Sequence, residues 1–199
     1  MNNKAGLYIH IPFCKSKCPY CDFYSVKYDR ALSKKYADEL IKTMDGYSGE
    51  FDTVYFGGGT PSILESDLIG KILSSAKEHF DIDKNSEITI ECNPSKDLEK
   101  DFYDYSKYGI NRVSIGMQSA RDEERFALGR SAGQTEVAKS VNDAKKAGIN
   151  NISLDVMLGT PKQTLSSLDE TFEFIDKMNV THISAYMLKI EEGTRFYTM

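Results

Sequence analysis

Long apolar runs and blocks of basic residues are missing from this sequence, and cysteine, histidine and proline are scarce: four, three and five among 199 residues. No segment approaches the ~18 consecutive apolar residues of a membrane span, and no basic stretch with an apolar run opens the chain, so neither a membrane helix nor a secretory leader is expected. With a net charge of −5 and a pI near 5.3, the chain offers no footprint for phosphate backbones or anionic lipid. No nucleic acid or membrane partner is expected. A secreted disulfide scaffold would spread paired cysteines through a short chain, whereas here Cys14, Cys18 and Cys21 crowd together and Cys92 stands apart. A cytoplasmic protein is expected, with cysteines that act as ligands.

What is present is an ordinary globular composition, 40% hydrophobic and 28% charged, enough for one core or a large part of a bigger domain. β-rich apolar runs recur at 7–11, 53–57, 87–92, 112–117, 151–158 and 182–188, separated by amphipathic segments near 29–45, 62–79, 97–108, 121–128, 133–147 and 164–178. Short, mostly apolar strands alternating with helices predict an α/β fold with a parallel sheet. Ser62 to Glu65 reads as a capping box, Gly109 and Gly148 as helix-ending glycines, and Pro94 and Pro161 as helix-preceding prolines. Six right-handed strand–helix units favour a partial TIM-like (βα)6 barrel; a doubly wound sheet is the alternative. The chain ends soon after the sixth strand without a covering helix, so residues 1–199 read as a truncated core domain.

Side chains alternate faces along a strand. Ile88, Ile90 and Cys92 therefore oppose Thr89, Glu91 and Asn93; Val113, Ile115 and Met117 oppose Ser114, Gly116 and Gln118; and Ser153 and Asp155 point inward. In the first strand Tyr8 and His10 share one face. Polar groups on several strands converge near their C-terminal ends, where βα barrels build active sites.

Cys14, Cys18 and Cys21 form C-x3-C-x2-C in the loop after the first strand. Zinc would normally take four ligands, with a second pair downstream that this chain lacks. An iron–sulfur cluster on three thiolates leaves one iron open to a small molecule. Both readings stand on spacing alone, the first as a zinc-stabilised binding module.

The cysteine motif, with Tyr20 just before its last cysteine, resembles that of the radical S-adenosylmethionine (SAM) enzymes. "YIHIPFCKSKCPYCDFYS", "YFGGGTPS", "IECNP", "RVSIGMQS", "LGR" and "LDVMLGTPKQT" further resemble the anaerobic coproporphyrinogen III oxidase branch, which holds the HemN dehydrogenases and HemW heme chaperones. The resemblance implies a [4Fe-4S] cluster on Cys14, Cys18 and Cys21, and SAM cleaved to methionine and a 5′-deoxyadenosyl radical. It also implies SAM contacts from Tyr8, Tyr20, Gly58, Gly59, Thr60, Glu91, Gln118, Arg130, Asp155 and Lys189. Glycines without Cβ would admit the methionine end, Glu91, Gln118 and Asp155 would face the ribose and amino groups, and Arg130 the carboxylate.

Phe23 stands where the dehydrogenase carries a further cysteine, so the chaperone-like form is favoured over the decarboxylating oxidase. The implied partners are SAM, heme or a porphyrinogen, an electron donor such as flavodoxin or ferredoxin, and a heme-protein acceptor. The H-N-x-x-Y-W heme motif of the chaperones has no match in this chain, which places any heme site outside it. His10, His79 and His182 read as structural, and no catalytic residue is assigned.

Overall fold

The computed structural model describes residues 5–95 and 97–199. Its elements in chain order are β1 (Ala5–Ile11), β2 (Phe13–Cys14), β3 (Val26–Lys27), α1 (Arg30–Met44), β4 (Glu50–Gly58), α2 (Ser66–His79) and β5 (Asp81–Cys92). There follow α3 (Glu99–Tyr108), β6 (Arg112–Gln118), α4 (Asp122–Ala127), α5 (Gln134–Lys146), β7 (Asn151–Leu158), α6 (Leu165–Met178) and β8 (His182–Met187).

Six of these strands make one parallel sheet in the order β1-β4-β5-β6-β7-β8. Each main strand lies beside the next one in sequence. That winding curls the sheet into a half-barrel and excludes the doubly wound alternative, whose strand order reverses. Ile9, Ile11, Val54, Phe56, Ile90, Val113, Ile115, Ile152 and Leu154 turn outward into an apolar core with Ile69, Ile72, Leu73, Phe102, Tyr105, Val137 and Val141 of the helices. Burying this layer is the main stabilising term for the fold.

Local chemistry ends the helices where the sequence says they should end. Asp29 caps α1 by accepting from the backbone N–H of Leu32 at 2.8 Å. Gly109 and Gly148 have φ of 96° and 88°, the left-handed conformation that closes α3 and α5.

Two expectations are corrected. Ser62 to Glu65 does not form a capping box: Pro61–Ile63 is a 3-10 turn, and α2 begins at Ser66 with Glu65 at its N-cap making no side-chain cap bond. Glu65 instead pairs with Arg30 at 2.5 Å. The third main strand also starts earlier than its apolar run, because Ile82 pairs with Phe51 ahead of a register shift.

Candidate functional site

The concave face of the half-barrel is polar for the reason alternation gives: the opposite face of every strand is committed to the helices. Near the C-terminal strand ends it opens into a cavity of about 510 Å³. All three clustered cysteines line it, with Tyr20, Gly58, Gly59, Thr60, Glu91, Gln118, Arg130, Asp155 and Lys189.

The cysteine loop leaves β2, a two-residue strand paired with β3 at Phe13–Val26 and Cys14–Lys27, which ties the loop's two ends together. Within it the N–H of Cys21 donates to the carbonyl of Cys18 at 3.1 Å. Cys14, Cys18 and Cys21 are free thiols, each partly accessible. Burial raises the Cys21 pKa, and Cys18 and Cys14 push it further up, so these sulfurs feel one another. Cys92 lies outside this group, buried on the helix side with its pKa pushed up by desolvation.

The turn after β4 fits closely under the loop. The N–H of Gly59 donates to Ile11 O at 2.9 Å and that of Thr60 to Phe13 O at 2.8 Å. A Cβ on Gly59 would stand 2.7 Å from Phe13 O and 3.0 Å from Cys14 Sγ, so only glycine lets the turn approach.

Glu91 accepts from the Tyr55 hydroxyl at 2.8 Å and from the Gly58 N–H at 3.2 Å. Its carboxyl pKa is raised, chiefly by burial and further by Asp155, against the pull of those two donors. Asp155 accepts from Ser114 at 2.8 Å, and burial raises its pKa as well. Gln118, at a positive φ of 71°, accepts from the Tyr186 hydroxyl at 2.7 Å; burial pushes that phenol up to about 12. Arg130 donates to the Tyr20 hydroxyl at 2.9 and 3.2 Å and to Asn93 Oδ1 at 2.6 Å. The cavity therefore pairs two half-buried carboxyl groups with one fixed guanidinium beside three thiols. It suits a zwitterionic ligand that also carries hydroxyls.

The profile of the Radical SAM superfamily matches residues 8–175. This chain belongs to the radical SAM superfamily. It is 40% identical to the heme chaperone HemW of Buchnera aphidicola from Schizaphis graminum over 96% of its own length and 52% of that protein, and 35% identical to Escherichia coli HemW over the same shares. Among solved structures it is similar to the coproporphyrinogen III oxidase HemN of Escherichia coli, with a TM-score of 0.84 at 25% identity, covering 94% of this chain and 44% of that one. The chain spans about half the length of these curated relatives.

Radical SAM membership implies a [4Fe-4S] cluster and SAM, and the donor set fits both. Three soft sulfur donors line one cavity, the ligand chemistry an iron–sulfur cluster takes, and no second cysteine pair accompanies them as a four-ligand zinc site would require.

Two of the residues expected at the site sit at its margin. Tyr8 does not line the cavity; it is 56% exposed and stacks on Tyr55, its ring centroid 6.1 Å away. The ammonium of Lys189 reaches the rim and pairs with Glu191 at 2.5 Å. Sequence reading passed over Tyr55, Tyr186 and Ser184, although strand alternation places Tyr55 beside Glu91 and puts Ser184 with Tyr186 on one face. Asn93 was read as inward-facing without a role. The histidines are held by local bonds: His10 by Tyr8 and the Tyr24 carbonyl, His79 by Asp45 and the Ser75 carbonyl, His182 by Ser153.

Proposed function

We propose that this chain is the cluster- and SAM-binding core of a HemW-type heme chaperone. The observation that carries the reading is one cavity holding Cys14, Cys18 and Cys21 together with Glu91, Asp155 and Arg130. The cysteines would each hold one iron, leaving the fourth open. When bound, the cluster would supply the electron that cleaves the sulfonium of SAM.

Every other task falls to residues of the chain. Arg130, its planar guanidinium held in orientation by Tyr20 and Asn93, offers its remaining N–H groups to the SAM carboxylate. Glu91 and Asp155 favour the cationic end and the ribose hydroxyls, because a positive neighbour relieves the cost of burying their charges. The backbone of Gly58, Gly59 and Thr60 lies against the methionine moiety. Tyr186 holds Gln118 toward the nucleoside. Lys189 closes the rim, and Tyr8 supports the wall through Tyr55 rather than touching the ligand.

Heme or a porphyrinogen, an electron donor such as flavodoxin or ferredoxin, and a heme-protein acceptor complete the proposed partners. Residues 1–199 would form the core domain, with the heme site elsewhere in the full-length protein. The proposed location is the cytoplasm; among the described residues no helix is long and apolar enough to cross a membrane.

The HemN-like structure supports a second reading, oxidative decarboxylation of coproporphyrinogen III. The full-length protein, reconstituted without oxygen, would be given that substrate, SAM and a reductant, and separately titrated with heme. Heme binding without protoporphyrinogen formation supports the chaperone; protoporphyrinogen formation overturns it in favour of the oxidase.

A further inference from the structure

We infer that Asn93 and Thr60 form a one-way hydrogen-bond relay from Arg130 to the Cys14 sulfur, and that this relay sets the redox potential of the cluster held there. The inference rests on the cluster reading of Cys14, Cys18 and Cys21.

The bonds run without a gap. Arg130 Nη1 donates to Asn93 Oδ1 at 2.6 Å, Asn93 Nδ2 to Thr60 Oγ1 at 3.0 Å, and Thr60 Oγ1 to Cys14 Sγ at 3.6 Å. Their direction follows from chemistry. A guanidinium can only donate, so the Asn93 oxygen must face it. The Asn93 amide nitrogen is thereby turned toward Thr60, which must accept. The single proton of the Thr60 hydroxyl is then free only for the sulfur. One charged group, three hydrogen bonds from the thiol, fixes where a proton points beside it.

The surroundings favour this arrangement. Gly116 lies beside the Asn93–Arg130 contact, within ordinary van der Waals reach of both: a Cβ there would stand 3.4 Å from Asn93 Oδ1 and 3.6 Å from Arg130 Nη1. Thr60 is anchored by its own N–H on Phe13 O, so the hydroxyl is presented from a fixed backbone. Thr60, Asn93 and Arg130 form part of the wall between the ligand cavity and a second cavity of about 630 Å³ on its outer side.

Hydrogen bonds to cluster sulfurs disperse the added negative charge of the reduced state and raise its potential. Thr60 and Asn93 are thus positioning residues, distinct from the ligands they orient.

The test uses the full-length protein with its cluster reconstituted anaerobically, in the absence of SAM. Midpoint potentials would come from titrations followed by electron paramagnetic resonance, and the sulfur hydrogen bond from the H/D shift of the iron–thiolate stretching bands. Thr60→Val is expected to lower the potential and shrink the isotope shift, while Thr60→Ser leaves both unchanged. Asn93→Asp keeps the Arg130 contact but can no longer donate, so Thr60 turns its proton to the new carboxylate. It should lower the potential more in the native background than in Thr60→Val, where only its added charge acts.

If Thr60→Val does not load iron, the isotope shift of Asn93→Asp against the unaltered protein decides alone. Failure of the unaltered protein to assemble a cluster would refute the proposed function. A normal cluster whose potential and isotope shift ignore these substitutions would overturn the relay.

Discussion

Arg130 and Tyr20 stand 110 positions apart and meet through two hydrogen bonds, from Nη2 at 2.9 Å and from Nε at 3.2 Å, onto one phenolic oxygen. The contact ties the α4–α5 loop to the cysteine loop and fixes the plane of the guanidinium. Arg130→Lys keeps the charge but loses the fork, and hydrogen bonds to a charged group contribute roughly 1.5–3 kcal/mol. SAM affinity of the reconstituted protein, measured by anaerobic calorimetry, should fall about 10- to 100-fold. Tyr20→Phe should cost less, because Asn93 still holds Nη1.

The four cysteines divide into two kinds. Replacing Cys14, Cys18 or Cys21 with alanine should abolish the cluster, read as lost iron, sulfide and visible absorbance after reconstitution. Cys92 is 3% exposed and surrounded by core, so Cys92→Ala should leave the iron content intact. It should instead lower stability by about 1–2 kcal/mol through the small cavity created. A cluster that survives Cys18→Ala would refute the ligand assignment.

The six main strands and six helices were legible because each strand commits one face to the helices, which makes period and parity visible in apolar residues. Alternation alone also put Glu91, Ser114, Gln118 and Asp155 on the inner wall. What stayed hidden depends on geometry without periodicity. The β2–β3 ladder is two residues long, too short to show a pattern, yet it closes the cysteine loop. The early half of β5 is polar, "DIDKNS", because it pairs near the sheet's rim. Glu65 failed as a capping glutamate because Pro61 winds a 3-10 turn and Arg30 draws the carboxylate away. The Arg130–Asn93–Thr60 chain joins three segments whose sequences contain no sign of one another.

Glu91 makes stability and ligand binding respond to pH in opposite senses. Its folded pKa lies above the ordinary 4.5, mainly through burial, so the native state holds its proton more tightly than the unfolded chain. Stability therefore falls as pH rises from 4.5 through the raised folded value, and at neutral pH the fold carries the cost of a buried charge. Glu91→Gln removes that cost while its amide still meets Gly58 and Tyr55, whose hydroxyl can turn to accept. The ligand-free variant should melt a few degrees higher at pH 7, since about 1 kcal/mol corresponds to roughly 2–4 °C in a domain this size, with no gain below 4.5. SAM affinity should fall in the same variant, as it should for the native protein when the pH drops toward that range.

Three adjacent glycines at the end of β4 should fail in three different ways when changed to alanine, because each meets a different obstacle. At Gly57 the added Cβ would approach Tyr55 and Tyr8 ring atoms at 2.8 and 2.9 Å; the exposed Tyr8 ring can swing aside, but Tyr55 is tied to Glu91 and must shift with it. Gly57→Ala should lower stability by roughly 1–3 kcal/mol through side-chain displacement and loosen the Tyr55–Glu91 bond while leaving the cysteine loop in place. At Gly58 the backbone has φ of 116°, where an L side chain is strained, and the Cβ would sit 2.6 Å from the His10 ring. Gly58→Ala should lower stability by roughly 1–3 kcal/mol. Gly59 meets backbone, with Phe13 O at 2.7 Å and Phe13 N at 2.9 Å, and Cys14 Sγ lies beside it at 3.0 Å. No side-chain rotation relieves that contact, so the strand carrying Cys14 must move. Gly59→Ala should therefore lose iron on reconstitution beyond what its melting temperature explains, whereas Gly58→Ala should lose stability first and keep its iron while folded. Equal iron loss in both would show that backbone conformation, rather than close approach to Cys14, is what the glycine run provides.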